Sequence, residues 1–308
     1  MDVFSDALAA LRTGAPVSTC TDARAPWSLR FPPVAGAGFH VLLHGTCLLI
    51  PPDADPIRLS AGDLVFLRQG NQHTLCSDPA VPPETFDEAR VGHSDYIGRI
   101  IVDGPGDRAV LACGAYRLDV TRPHPLLAGL PAVIHLPADL GRYPALRASI
   151  EQLTTEIDEP RPGSDSIVAT LIDLMLLQII RAWYDTLPSA DARGWAAAVT
   201  DPAIAPALRA IHADPGRAWT VDALARESGL SRAAFARRFT AIVGEPPLGY
   251  LTSWRMTTAG RLLRETDAPL ATVAERTGYS SEYAFAKAFK REYGIAPGNY
   301  RRHARSTA

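Results

Sequence analysis

An α+β fold is what these 308 residues predict: a β-barrel or sandwich first, helices after it, and an all-α C-terminal domain with two helix-turn-helix motifs. Three observations lead there. Short apolar runs broken by Pro, Gly and Asp dominate the N-terminal part. Beyond Pro144 the hydrophobic period lengthens to that of helices. The end of the chain then repeats itself at an offset of 50 residues.

The elements follow in order. Val3 to Leu11 forms a short helix. From about Trp27 the runs FHVLLHGTCLLI, IRLSAGDLVFL, HTLC and RAVLACGAYRLDV predict short antiparallel strands, with Ala61-Gly62-Asp63 as a tight turn. Residues 77–107, rich in Pro, Gly and acidic groups, predict a mobile loop. Leu146, Ile150, Leu153 and Ile157 mark one helix; Ile167, Leu171, Leu174, Leu177 and Ile180 mark a second. The second also carries Ile172, Met175, Leu176 and Ile179, so it is buried on most sides, in its own domain or against a second subunit. The expected organisation is a first domain over 1–187 with its helices at about 142–187, a linker over 188–200, and a helical domain over 201–308.

Composition narrows the class. A 47% hydrophobic and 21% charged chain with mean hydropathy near zero is not intrinsically disordered. The apolar run Ile167 to Ile180 is interrupted by Asp173 and is too short to span a bilayer, so no membrane partner is expected. MDVFSDALAALR lacks the positive start of a signal peptide, and a cytoplasmic location is expected. The net charge of −2 hides a split. Residues 1–199 hold 15 basic and 23 acidic side chains, whereas 200–308 hold 16 and 10. A net of +6 on the second part points to nucleic acid.

The repeat carries that reading further. Ser231, Phe235, Phe239, Gly244, Pro247 and Tyr250 return as Ser281, Phe285, Phe289, Gly294, Pro297 and Tyr300. Upstream, Leu224-Ala225 and Gly229 return as Val273-Ala274 and Gly278 at an offset of 49, one extra residue sitting in the second turn. In the first copy Thr220 caps a short helix, Gly229 ends it at positive φ, and Ser231 caps a second helix burying Phe235, Phe239 and Ile242. The faces opposite these cores expose Arg and Lys, side chains that pair with guanine edges or phosphates. Between the copies, Leu248 to Arg264 predicts one helix of roughly 25 Å, able to hold two recognition helices in successive major-groove segments. A separation short of a full helical turn bends the DNA toward the protein. Arg255, Arg261 and Arg264 on this helix are candidate phosphate contacts.

The stretch from WTVDALARESGLSRAAFARRF to the terminal PGNYRR, including its GYSSE turn, resembles the C-terminal domain of AraC/XylS-type transcription regulators over residues 200–303. The resemblance implies that Arg232, Ala233, Ala236 and Arg237 read bases or line the groove in the first motif. Glu282, Tyr283, Ala286 and Lys287 do so in the second. Two alanines make hydrogen-bond readout sparse in the first motif, although Ala still meets a thymine methyl. Double-stranded promoter DNA is the implied partner, with RNA polymerase if the protein activates, and a homodimer is expected.

FHVLLHGTC, LSAGDLVFLRQGNQHTL and LACGAYRLD make residues 20–135 similar to the cupin-like sensor domain of a subset of these regulators, including the reactive-chlorine-sensing type. That resemblance implies a small barrel with an internal pocket. Cys20 and Cys113 match positions where chlorine-sensing relatives carry redox-active cysteines, and Cys20 lies in the polar segment STCTDAR, accessible to an oxidant. Cys47 and Cys76 complete a set of four, all in the first half and reduced in a cytosolic protein. His40 and His44, four apart in a strand, share a face, and His73 begins another strand. Such histidines hold zinc or iron in cupins, with Cys47 or Cys113 as sulfur ligands, but the glutamate of the cupin pattern is missing. A cupin-type metalloenzyme is the remote alternative. Fusion to a duplicated DNA reader and the lack of a nucleophile triad, phosphate loop or paired acids argue for a non-enzyme. Two signals remain open: oxidation at Cys20 and Cys113, or a small organic effector in the barrel.

Overall fold

The computed structural model describes residues 2–306 apart from 15, 35, 53, 87–91, 94–97, 119–123, 139–141 and 188–193. Two compact units emerge. The β-rich unit comprises Ala15–Leu118 and Leu130–Leu187; the helical unit comprises Met1–Gly14, Asp119–Gly129 and Pro188–Ala308. Two pieces of the expected 1–187 sensor domain, the N-terminal helix and the segment around 124–129, therefore belong to the helical unit. Both are anchored there by apolar and hydrogen-bonding side chains that periodicity alone does not assign to a partner.

The β-rich unit contains β1 (Val17–Arg24), β2 (Ser28–Phe31), β3 (Gly36–His44), β4 (Thr46–Ile50), β5 (Ile57–Ser60), β6 (Leu64–Leu67), β7 (His73–Cys76), β8 (Glu84–Thr85), β9 (Gly92–His93), β10 (Gly98–Val102), β11 (Arg108–Arg117) and β12 (Val133–Leu136). They form a seven-stranded sheet, β12-β6-β3-β11-β1-β10-β9, and a five-stranded sheet, β5-β4-β7-β2-β8. Inward side chains of both, among them Leu42, Val65, Leu111, Leu49, Leu59 and Leu75, make one core. Gly62 turns between β5 and β6 at φ +92°, with Asp63 N–H donating to Ser60 O. The expected loop over 77–107 is not structureless: it contributes β8, β9 and β10, and β10 runs parallel to β1. Its residues 87–91 and 94–97 lie outside the described residues.

On the outer face of the larger sheet Phe39 and Tyr116 are buried 5.5 Å apart, and Tyr116 Oη donates to Ile172 O at 2.7 Å. Gly114 leaves room for this layer, since a Cβ there would meet the Phe39 ring at 2.2 Å. The helices of this unit are α3 (Pro144–Asp158) and α4 (Ser164–Thr186), while α1 (Val3–Leu11) and α2 (Pro125–Ala128) belong to the other unit. α4 has 23 residues and, by length and composition, is apolar enough to cross a membrane, contrary to the expectation from the run Ile167 to Ile180. Its Val168, Leu171, Ile172, Met175, Leu176, Ile179 and Ile180 are nevertheless buried within the fold.

In the helical unit α1 (Val3–Leu11) and the short α2 (Pro125–Ala128) join α5 (Trp195–Thr200), α6 (Ala205–Ala213), α7 (Val221–Glu227), α8 (Arg232–Val243), α9 (Pro247–Glu265), α10 (Leu270–Arg276), α11 (Glu282–Tyr293) and α12 (Pro297–Ser306). The expected linker over 188–200 is partly outside the described residues at 188–193; from Trp195 it is helix α5, packed against α8 and α6.

Candidate nucleic-acid interface and effector cavity

Each helix-turn-helix is assembled by the same local devices. Thr220, Ser231 and Ser281 are N-caps whose hydroxyls accept the N–H of Ala223, Ala234 and Ala284. Gly229 and Gly278 adopt φ of +63° and +76°. Each turn closes with a matching bond, Leu230 N–H to Ala225 O at 3.0 Å and Tyr279 N–H to Ala274 O at 2.8 Å. Phe235 and Phe239 sit with ring centroids 5.5 Å apart, and Phe285 and Phe289 at 5.7 Å. Val243 is buried where Ile242 was expected, and Ile242 is only half-buried. At 3.6 residues per turn, Val243 lies four residues beyond Phe239 and about 40° from it around the helix, whereas Ile242 lies about 60° away.

The predicted reading residues lie together on the outer faces of α8 and α11. Arg232, Ala233 and Arg237 are exposed, with Ala236 half-buried; Glu282, Tyr283 and Lys287 are exposed, with Ala286 half-buried. Tyr283 is 78% exposed, its ring and hydroxyl reaching into solvent. Arg232 reaches Asp222 at 3.4 Å, a solvated pair easily exchanged for phosphate. Arg238, by contrast, is held by two bonds to Asp201.

Two of the expected phosphate contacts serve the fold instead. Arg255 donates to Pro215 O and Arg217 O at 2.7 and 2.9 Å. Arg264 donates to Ala10 O and Arg12 O at 2.8 and 3.0 Å, capping the carbonyl end of α1, and also to the Tyr300 hydroxyl. Charge on a helix surface does not reveal that a neighbouring helix ends beside it. Arg261 is half-buried on the same helix.

Inside the β-rich unit a cavity of about 290 Å³ opens beside Phe31, Val34 and Phe86, with His40, His73 and Cys113 on its wall. His73 Nδ1 lies 2.8 Å from Asn71 O; a carbonyl only accepts, so His73 carries its proton on Nδ1. His73 Nε2 therefore accepts from His40 Nε2–H at 2.7 Å, and His40 Nδ1 accepts from the Cys113 thiol at 2.8 Å. Both rings are neutral: burial pushes His40 well below its ordinary value, His73 beside it adding to the effect, and burial also lowers His73. Burial pushes the Cys113 thiol up, so it rests protonated. Phe31 and Phe86 complete this wall and Asn71 O orients His73, and no spacing in the sequence marks them; β2 pairs Phe31 with His73 across strands far apart in the chain.

Of the candidate metal set, His40 and His73 are brought together and His44 is not. His40 and His44 do not share a face, because the β3–β11 register slips after Leu42, leaving Leu43 as an extra residue. One extra residue reverses the alternation of a strand. His44 consequently lies outside the core, 3.5 Å from Asp158. His40 turns one ring nitrogen to His73 and the other to Cys113, so the three side chains do not converge on one point. Cys47 is buried in the core, where burial raises its thiol to about 12. Among the described residues no group of three such side chains is placed to hold a metal ion.

The cysteine expectation is also corrected. Cys20 is 1% exposed, and burial raises its thiol to about 11. STCTDAR is polar in sequence, but as strand β1 it places alternate side chains on the two covered faces of a sheet. Cys20 pairs with Ala112 and Thr19 with Cys113, so Cys20 and Cys113 point to opposite faces. Only Cys113 lines the cavity.

Comparison with known proteins places both units. Residues 2–185 match the Cupin family model, and residues 224–303 match the Helix-turn-helix domain model. The chain is 36% identical over 304 residues to an AraC-like transcription regulator of Streptomyces antibioticus, covering 98% of this chain and 99% of that one. It is 29% identical over 272 residues to the RCS-specific HTH-type transcriptional activator RclR of Escherichia coli (strain K12), covering 88% and 86%. Among solved structures it is similar to the DNA-binding domain of AdpA in complex with a target DNA, at 33% identity and a TM-score of 0.33, covering 35% of this chain and 96% of that chain.

Proposed function

The chain belongs to the AraC family of DNA-binding transcriptional regulators, and from that membership we propose that its cupin cavity receives a small effector that governs DNA binding. The observation that carries this is the cavity of about 290 Å³, walled by Phe31, Val34 and Phe86 and floored by the neutral Cys113–His40–His73 chain. An apolar chamber with a few fixed polar groups selects a small organic molecule having one hydrogen-bonding function. Arg232, Ala233, Ala236 and Arg237 read one major-groove segment; Glu282, Tyr283, Ala286 and Lys287 read the next. The protein acts on promoter DNA in the cytoplasm and performs no catalysis.

Cys113 supports a second reading, oxidant sensing. A small neutral oxidant such as hypochlorous acid entering the cavity meets this thiol. Sγ attacks the chlorine, so that the S–Cl bond forms as the O–Cl bond breaks, and the released hydroxide leaves as water with the thiol proton passed through His40 Nδ1. Water then hydrolyses the sulfenyl chloride, forming the S–O bond of a sulfenic acid and releasing chloride and a proton. Footprinting on the promoter, with thiol trapping before and after a hypochlorous-acid titration, separates the readings. The oxidant reading predicts trapping loss at Cys113 in step with the footprint change, and loss of the response in Cys113→Ser. Cysteines that stay reduced while the footprint changes with an added organic compound leave the effector reading standing alone.

The dimer belongs to the same reading. Ile167 and Leu174, seven residues apart on α4, are 38% and 43% exposed. They offer one apolar stripe to a second copy, the use of this helix weighed from its all-round hydrophobicity.

A further inference from the structure

The helical unit contains a second cavity, of about 360 Å³, lined from α1, α6, α9 and α10. It is unlike the barrel chamber in chemistry. Arg209, Arg261 and Arg276 converge on it from three different helices, and Asp6 of α1 is the one carboxylate on its wall. Arg255 and Arg264 on α9 are satisfied by backbone carbonyls, and Arg238 by Asp201. Arg209 and Arg276 have no such hydrogen bond among the described residues, and Arg261 has only the electrostatic neighbourhood of Asp6. The remaining wall is unusual too. His212, Trp254 and Thr258 line the cavity and are 7%, 3% and 8% exposed. His212 Nδ1, Trp254 Nε1 and Thr258 Oγ1 are each buried without a hydrogen-bond partner. Native proteins leave few such atoms, and each calls for an explanation.

The donor inventory identifies what is missing. Guanidinium N–H groups can only donate, so the three arginines on this wall are matched by acceptors. His212 has its Nε2 engaged with the Tyr250 hydroxyl, and its ring stacks on Trp254 at 3.8 Å, which fixes the floor rigidly. Val3, Pro215 and Leu262 add apolar wall beside the charges. A ligand matching this lining carries several acceptor oxygens with negative charge at one end and a small apolar body at the other.

We infer that the cavity enclosed by α1, α6, α9 and α10 is a binding site for a small oxyanion, a carboxylate or phosphate compound, held by Arg209, Arg261 and Arg276 over the Trp254 floor. The site lies wholly within the helical unit and is independent of the barrel reading. Because α6 precedes the first helix-turn-helix and α10 opens the second, an occupant ties the two halves of the reader together across α9, and α1 closes over it. The buried floor excludes a duplex backbone, which reaches only the exposed guanidinium groups.

The test uses the full chain without DNA, titrated with inorganic phosphate and with hexanoate against sodium chloride of equal ionic strength. Thermal melting and the Trp254 indole N–H resonance, assigned by its absence in Trp254→Phe, are the readouts. A saturable rise in melting temperature and a matching shift of that resonance with either anion is expected. Affinity should fall at least tenfold in the pair Arg261→Gln with Arg276→Gln, exposed or half-buried positions that leave the fold intact, and stay unchanged in Arg237→Gln. The proposal is overturned if neither anion exceeds the chloride reference, or if the double variant binds as tightly as the parent. It is equally overturned if only duplex DNA moves the Trp254 resonance, which would make these arginines backbone contacts.

Discussion

At the scale of single residues, what matters is which polar groups are committed and which are available. Arg237 is exposed on α8 and Arg238 beside it is tied to Asp201. Arg237→Ala is expected to weaken binding to a specific promoter site by about 1–3 kcal/mol and to relax preference at one base position. Competition binding across single-base variants of the site checks it; a uniform loss over all sequences would make Arg237 a phosphate contact. Cys20 illustrates the opposite case. With its thiol raised to about 11, only on the order of one molecule in a thousand carries a thiolate at pH 8. Its alkylation in the folded chain should run on the order of a hundredfold slower than in urea, as read by mass spectrometry. Equal rates would show that β1 opens readily. Residue identity announced Arg237 and the cysteines, but not their availability: the bond from Arg238 to Asp201 spans 37 positions, and Cys20 is covered because β1 lies between β11 and β10.

Elements set the next scale. α2 is a single turn whose N-cap is His124, the ring Nδ1 accepting Leu126 N–H at 3.2 Å. His124 packs edge-on against Tyr250 and Trp254, and burial pushes it down to about 3. A protonated ring cannot accept that bond. Its folded value lies below the unfolded one, so the neutral ring contributes its full stability above about pH 6.5, and that contribution drains away as pH falls toward 3. The slope is about 1.4 kcal/mol per pH unit for one such group. Urea titrations from pH 7 to pH 4 should show a shallower decline in His124→Asn, which keeps a capping acceptor but does not titrate; parallel curves would contradict the role given to His124. The helices that carry the DNA-reading residues were legible because their period, caps and turn glycines are all local. β3 was legible as a strand but not in its facing, since the extra residue Leu43 exists only relative to β11.

For the whole molecule, the charge division bears on DNA encounter and the exposed α4 stripe on the proposed dimer. A net of +6 on residues 200–308 predicts affinity for any duplex that falls steeply as salt rises. Ile167→Asp combined with Leu174→Asp is expected to convert a dimer to a monomer in sedimentation velocity, with unchanged helix content by circular dichroism. A dimer that survives both substitutions places the interface elsewhere. Composition and local spacing alone gave away the division into an acidic β-rich part and a basic helical part, the duplicated motif and the residues on its exposed faces. Those features depend on composition and on spacing within a helix or turn, which neighbouring residues enforce. Tertiary structure decided the rest: that α1 and α2 join the helical unit, that Arg255 and Arg264 bond carbonyls, that His40 meets His73 and Cys113 while His44 does not, and that Cys20 and Cys113 face apart. Each of these is a contact between residues distant in the chain, where strand register and helix packing, and no local preference, select the partner.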